Sequence, residues 1–399
     1  MKKEEHILNV AYVAKISAPS MFGTYFEEAN IKPAQSAQKY HRLMAEGLAT
    51  NPNVRVTAIG TPPISRTITK RVFFSSSIVV EGGVTYFSGK IVNAPILRII
   101  TVFWGTFTKV LRICLKKGNT AVVCDILTIS STLAAILAAM LTGKKTIGIV
   151  TDVPGFFAKK TSRLMRTVYA LFLYRFTAYV FLTEQMNEII NKKKKPYIVI
   201  EGQADINMSS YKNLLPEKSP FRVCMYTGGI HKIYGIGMLV DAFIAANIPN
   251  AILVIYGCGD YEAELTIKCK EHKNICYYGV LRNEQIINEQ IKATLLINPR
   301  PTDHEYTQYS FPSKNMEYMA SGTPLLTTKL PGMPKEYYPH VYLIEDETVE
   351  GLKRILKNTL LKPSEELHEK GLAAKQFILE YKNNIFQANK LYKLISSLN

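Results

Sequence analysis

Several things are scarce in this 399-residue chain. Only 20% of its residues are charged, it has a single tryptophan, and its six cysteines form no CxxC pair. There is no HxxxH either, so the spacing of a zinc site is absent. Cys114, Cys124, Cys224 and Cys258 lie in or beside apolar runs, which points to reduced, mostly buried thiols in a cytosolic protein. The longest apolar run, Ile126–Leu141, is interrupted by Thr128, Ser130, Ser131 and Thr132. At about sixteen residues it falls short of the roughly 20 needed to span a bilayer. The first residues, Met1 to His6, lack the apolar core of a secretion signal. An apolar fraction of 47% excludes a disordered or fibrous chain.

Acidic residues are scarce in only one half. Residues 1–200 hold 27 basic and 10 acidic side chains, whereas residues 201–399 hold 22 of each, so the entire net charge of +17 belongs to the first half. Two domains facing different partners are expected.

Apolar strand-like runs alternate with helix-like segments throughout, the pattern of parallel sheets covered by helices. In the first half strands are expected at 7–14, 54–59, 120–124, 146–150, 178–182 and 197–200. Helices are expected at 36–49, 128–141 and 160–174, with a long turn over 15–35. Residues 201–220, with Gly202, Pro216 and Pro220, read as a linker. A second series has strands at 221–226, 251–256, 274–278, 294–297, 324–327 and 340–344. Its helices are expected at 238–246, 261–270, 313–320, 349–360, 364–380 and 384–398. The fold class is α/β: two Rossmann-like parallel domains facing a cleft. The first spans 1–200 and the second 221–383, with 384–399 returning to the first. In such sheets ligands bind at the carboxyl ends of strands.

Three loops of the second half stand at such ends. Gly228 and Gly229 allow backbone amides to approach a phosphate, and Lys232 offers a positive charge; paired glycines also suit a plain turn. In Tyr256-Gly257-Cys258-Gly259-Asp260, Gly257 and Gly259 permit close approach, and Asp260 reads as a helix N-cap. The third loop holds Arg300, Glu305, Tyr309, Ser310, Phe311 and Pro312. Ser313 reads as the N-cap of a helix ended by Gly322 and Pro324. Amides at 310–315, with Lys314 and Arg300, then make an anion site. Glu317 is either favoured by the helix dipole or an acceptor for two vicinal hydroxyls of a ribose.

Together these motifs, above all Ser310-Phe311-Pro312-Ser313-Lys314 followed by Glu317-Tyr318-Met319-Ala320-Ser321-Gly322-Thr323-Pro324, resemble the GT-B retaining glycosyltransferases of family 4. Within that family the likeness is to members building bacterial capsule, exopolysaccharide or O-antigen. The resemblance implies that the second domain holds a nucleotide diphosphate-sugar, UDP in preference to GDP, and the first an acceptor. The last helix would cross back onto the first domain. Two departures stand out. The family places a glutamate eight residues before the ribose-binding one, where this chain has Tyr309, leaving Glu305 as the nearest substitute. The family's basic pair after the first strand of the domain is out of register, leaving Arg300 and Lys314 to share the diphosphate with Lys232.

In the first half, Asp152 ends a strand and either orients an acceptor hydroxyl or the donor sugar by hydrogen bonding, or caps the turn before Pro154. Ser17–Ser20 and Gly23 are further candidates to contact phosphate or acceptor. Lys159, Lys160, Arg163 and Arg166 recur at helical spacing, followed by Tyr169, Phe172 and Tyr174, and further lysines stand at 116–117, 144–145 and 192–195. No nucleic-acid-binding motif accompanies them. An anionic membrane surface is the expected partner, with 156–182 and the apolar stretch 91–107, containing Trp104, entering the interface. A solvated basic face without a partner is the plain alternative.

The expectation is a retaining glycosyltransferase that moves a hexose or related sugar to a lipid-linked or polysaccharide acceptor, peripheral on the cytoplasmic face of the membrane. No cofactor or metal is expected, since Glu345-Asp346-Glu347 reads as helix capping. A nucleotide-sugar 2-epimerase of the same fold would yield epimerised sugar without acceptor. A non-catalytic membrane scaffold would bind no nucleotide sugar.

Overall fold

The computed structural model describes residues 7–29, 36–62, 68–153, 167 and 172–398. The chain divides into two compact units, one comprising 1–203 with 384–399 and the other 204–383.

The described residues of the first unit contain ten strands: β1 (Leu8–Ala14), β2 (Val54–Gly60), β3 (Phe73–Phe74), β4 (Ser77–Glu81), β5 (Val84–Ser88), β6 (Ile91–Val92), β7 (Asn119–Asp125), β8 (Lys145–Val150), β9 (Ala178–Phe181) and β10 (Tyr197–Val199). Eight of them form one sheet in the order β10-β9-β8-β7-β1-β2-β5-β4. All pairings in it are parallel except β4 with β5. That antiparallel hairpin was not expected; it turns on Gly82 and Gly83, both at positive φ, where a side chain would be strained. The short strands β3 and β6 form a separate ribbon.

Two helices here also depart from expectation. Pro19–Glu28 is helical within the segment expected as a turn, started by a proline in its first turn. Pro95–Cys114 forms a 20-residue helix where only an apolar stretch was recognised. Among the described residues, Ser36–Ala49, Ile129–Leu141, Glu184–Ile190 and Asn384–Ser397 are also helical. The last of these packs along Ser36–Ala49. Its Ala388, Leu391, Leu394 and Ile395 are part of the same apolar core as Val10, Tyr12 and Leu48. No helix among the described residues is long and apolar enough to cross a membrane. The basic cluster Lys159, Lys160, Arg163 and Arg166 lies outside the described residues.

The second unit holds β11 (Arg222–Thr227), β12 (Ala251–Tyr256), β13 (Ile275–Tyr277), β14 (Leu295–Asn298), β15 (Leu325–Thr328) and β16 (Tyr342–Ile344). They pair in parallel in the order β13-β12-β11-β14-β15-β16. The chain thus winds one way from β11 and the other way from β14, the doubly wound arrangement with its reversal between those two strands. Strands buried on both faces explain why β11, β12 and β14 appear in the sequence as continuous apolar runs. Residues from 204 onward belong to this unit, where Met208 joins the core and Ala204 bridges to Asn383.

Candidate functional site

The reversal point between β11 and β14 puts the 228–235 and 299–310 loops side by side at the carboxyl edge of the sheet. Side-chain hydrogen bonds fix both strand ends to the helix Ser313–Ser321. The Tyr318 hydroxyl accepts from the Thr227 amide (2.7 Å) and donates to the Thr227 carbonyl (2.9 Å). The Asn298 amide donates to Asn315 Oδ1 (2.7 Å), and Asn315 in turn donates to Thr327 Oγ1 on β15 (3.3 Å). These groups are buried, so each satisfied bond helps hold the helix in one place.

That helix presents its amino end to the site. Pro312 is its N-cap and no side chain caps it, so Ser313 is the first helical residue rather than the cap expected from sequence. The reason is local: Pro312 is extended at ψ 117°, and the helical conformation begins only after it. The Ser310 hydroxyl just upstream is buried and without a hydrogen-bond partner, as is Arg300 Nε. Helix amides, an unpaired hydroxyl and an unpaired guanidinium nitrogen form a donor-rich pole suited to an anion.

Lys314 lies within this pole. Its Nζ donates to the Tyr226 hydroxyl (2.7 Å) and sits 4.1 Å above that ring. The same hydroxyl donates to the Gly229 carbonyl (2.7 Å). Burial, then the nearby Arg300 charge, pushes the Lys314 amine down to about 7, against a smaller opposing pull from Glu317. An incoming phosphate would favour the ammonium form. Arg300 is stacked over Tyr234, its guanidinium carbon 4.4 Å from the ring centre.

Gly228, Gly257 and Gly259 account for the second loop. Gly228 has φ +134° and Gly257 φ +136°. A Cβ on Gly257 would fall 1.7 Å from the Gly228 carbonyl oxygen, and one on Gly259 2.2 Å from that of Ile230. The Ile230 amide donates to the Cys258 carbonyl (2.8 Å), which locks the two loops together. A Cβ on Gly228 itself would lie 2.4 Å from Lys314 Nζ. Gly229 faces His231 and Tyr234.

Asp260 does not cap the following helix Glu262–Glu271, whose N-cap is Tyr261. Its carboxylate instead reaches across to accept from the Lys232 amide (2.8 Å) and faces His231 Nδ1 at 3.6 Å. The Lys232 side chain turns toward Glu264, with which it forms an exposed ion pair that raises its pKa.

Glu317 accepts from Gln290 Nε2 (3.0 Å), a side chain wholly buried on the helix Asn283–Lys292 and also 3.4 Å from Thr227 Oγ1. Gln290 and that helix were not anticipated from sequence; a lone polar residue facing inward in a helical repeat is the only signal that pointed to it. Glu305 is exposed at the start of a short 3-10 turn that also contains Tyr309, while Phe311 packs into the core against Tyr337 at 4.9 Å. Glu347 grips Thr302, accepting from its amide (2.8 Å) and hydroxyl (2.6 Å), and so anchors the β14 loop rather than capping a helix. Thr348 provides that cap.

Asp152 is in the other unit, just beyond β8. Its carboxylate accepts from the Val153 amide (2.8 Å), and desolvation of the carboxyl by the surrounding chain raises its pKa despite the residue's exposure. Gly23 and Ser20 belong to the helix Pro19–Glu28, where Ser20 donates to Glu81. Among the described residues, no group of three or more His, Cys, Asp and Glu side chains is placed to hold a metal ion.

Residues 221–360 match the family model for glycosyl transferases group 1, and no curated protein matches the chain. Solved structures match over nearly the whole length. Sucrose-phosphate synthase from Thermosynechococcus elongatus is 14% identical at a TM-score of 0.67, covering 98% of this chain and 100% of its own. A glycosyltransferase from Rickettsia africae is 12% identical at 0.68, covering 98% of both chains. Anabaena HepE in complex with UDP is 13% identical at 0.63, covering 98% of this chain and 100% of its own. The fold is therefore that of the GT-B glycosyltransferases, and residues 221–360 of its second unit are similar to the group 1 glycosyltransferase domain.

Proposed function

We propose that this chain is a nucleotide-sugar-dependent glycosyltransferase of the retaining family 4 type. The donor is a nucleotide diphosphate-sugar, UDP in preference to GDP, and the sugar a hexose or a close relative. The observation that carries this reading is the anion-ready pole at the end of Ser313–Ser321, where unpaired donors and the buried Lys314 are held by a hydrogen-bonded frame. That Anabaena HepE has been seen with UDP and with UDP-glucose supports the choice of donor.

In this reading the diphosphate lies against the helix amides, Ser310, Arg300 and Lys314, while Glu317, aimed by Gln290, accepts from the ribose hydroxyls. As the glycosidic bond to the leaving phosphate breaks, negative charge grows on the diphosphate. Fixed donors stabilise that charge more than they stabilise the ground state, which lowers the barrier. The departing phosphate assists deprotonation of the acceptor hydroxyl, so configuration is retained. Glu305 substitutes for the family glutamate near the sugar, and Asp152 orients the acceptor. The Lys232 ion pair with Glu264 must open for that lysine to reach phosphate; Arg300 and Lys314 are the better-placed cations. No metal takes part. The acceptor is lipid-linked or a growing polysaccharide, at the cytoplasmic face of an anionic membrane, in the building of cell-surface glycans.

The test is a screen of UDP- and GDP-sugars with membrane extract, following nucleotide release and labelled lipid. Transfer from one donor, lost in Glu317→Ala, is the expected result. Absence of transfer from every donor, with Glu317→Ala indistinguishable from the unmodified protein, overturns the proposal.

A further inference from the structure

The helix Pro95–Cys114 is amphipathic in the wrong sense for a helix on a water-facing surface. Its inner side carries Val102, Thr106, Val110 and Ile113 toward the core, as expected. Its outer side carries Ile96, Ile100, Phe103, Trp104 and Phe107, three to four residues apart and so on one face. Ile96 is 73% exposed, Ile99 57% and Trp104 57%. The three aromatics pack on one another, Trp104 edge-on to Phe103 at 5.6 Å and to Phe107 at 5.7 Å.

The helix Ile129–Leu141 packs alongside, with the Ser130 hydroxyl donating to the Ile99 carbonyl (2.9 Å). It holds no charged residue, and it exposes Leu133, Leu137, Met140 and Leu141 on one face. These side chains extend the exposed apolar surface beyond the few scattered residues normal for a water-facing domain.

Charge sits at one end of this surface. The first helix leads into β7 and the second into β8, which are adjacent and parallel, so both helices finish at the same edge of the sheet. That brings together Arg112, Lys116 and Lys117 from one and Lys144 and Lys145 from the other. From residue 82 to 151 there are eight basic residues and one acidic residue, Asp125, which is buried. An apolar face rimmed by cations alone is what an interfacial helix offers to anionic lipid. Tryptophan is also the side chain that favours the headgroup level. A second copy of the chain would bring five like charges against five, which opposes self-association through this face.

We propose that the outer faces of Pro95–Cys114 and Ile129–Leu141 form the docking surface of the first unit for an anionic lipid bilayer. The two helices lie in the interface, with Trp104 at headgroup depth and the Arg112–Lys117 and Lys144–Lys145 clusters against lipid phosphates. This deepens the membrane part of the proposed function and assigns it to described residues, leaving the donor site untouched.

Trp104 makes the test direct, because it is the only tryptophan in the chain. The full-length protein is mixed with phosphatidylcholine vesicles containing 30% phosphatidylglycerol, or none (vesicle composition set for the experiment, roughly that of an anionic membrane). Expected are a blue shift of tryptophan emission, quenching by brominated lipid, and co-sedimentation, all with anionic vesicles and weakened by salt. Lys116→Gln with Lys117→Gln should lower partitioning about 25-fold, at roughly fivefold per lysine. Ile96→Glu with Ile100→Glu should abolish it, with the circular dichroism and thermal midpoint unchanged because both positions are exposed. Equal binding to neutral vesicles would overturn the proposal, as would a blue shift that follows protein concentration without lipid and so reports a second copy. Absence of binding to anionic vesicles at low salt overturns it too. UDP binding, measured without lipid, separates failure here from failure of the donor site.

Discussion

Lys314 sets burial against charge, and that conflict gives the donor site a proton signature. Without nucleotide the amine titrates at about 7, lowered by burial and by Arg300. A diphosphate beside it favours the ammonium, so the folded, bound state holds more protons than the free state above pH 7. Affinity for UDP is therefore expected to fall as pH rises from 7 to 9, by up to about tenfold per unit. Calorimetry at pH 8 in buffers of different ionisation enthalpy should register proton uptake on binding, and Lys314→Met should remove both effects. Glu317 predicts a different split. If it holds the ribose, Glu317→Ala weakens UDP by roughly 10- to 100-fold, the loss of hydrogen bonds to a charged group, and leaves pyrophosphate unchanged. Competition binding with the two ligands checks this. At this scale the sequence displayed residue types but not their directions. Nothing local announces that Lys232 turns to Glu264, or that Asp260 reaches back to the 231–232 loop, because both partners come from elements about 30 residues away. Ser313 was misplaced by one position because cap preferences are statistical, whereas Pro312 fixes where the helix begins.

The two loops after β11 and β12 act as one element, since the glycines let one backbone lie on the other. Gly257→Ala forces a Cβ to within 1.7 Å of a carbonyl oxygen at a φ of +136°. A destabilisation of about 2–4 kcal/mol is expected from strain and overpacking together. Because the displaced atom belongs to Gly228, UDP affinity should fall further than the loss of stability alone explains; denaturant melts and binding on the same preparation separate the two. Elements were legible where burial is two-sided: β7, β11 and β12 stand out as apolar runs with no polar alternation. They were illegible where that simple pattern fails. The β4–β5 hairpin alternates weakly around a Gly-Gly turn. The helix Pro95–Cys114 does carry the helical period, with Arg98, Lys109 and Arg112 on one side of an otherwise apolar helix, but its apolar arc is wide enough to read simply as an apolar stretch. The helix Asn283–Lys292, mostly polar, offers too few apolar positions to reveal one.

At the scale of the whole molecule, the chain divides into two units. The order of the chain through them has a mechanical result. The first unit is interrupted at Gln203 and resumes at Asn384, with the second unit inserted between. Burial of Leu391, Leu394 and Ile395 contributes on the order of 5–8 kcal/mol, comparable to the whole stability of a typical domain. Deletion from Asn384 onward is therefore expected to leave the first unit insoluble or protease-sensitive. The fragment 204–383, whose apolar clusters are its own, should fold and still bind UDP. Limited proteolysis with nucleotide titration checks both. Synthesis makes the same dependence temporal. On the ribosome, residues 1–203 emerge first but lack the helix that completes their core, and it follows only after the second unit has been made. At roughly 5–20 residues per second, the nascent first unit waits tens of seconds with apolar surface uncovered. The second unit is then the earlier to finish folding, and the first completes its core only when residues 384–397 arrive.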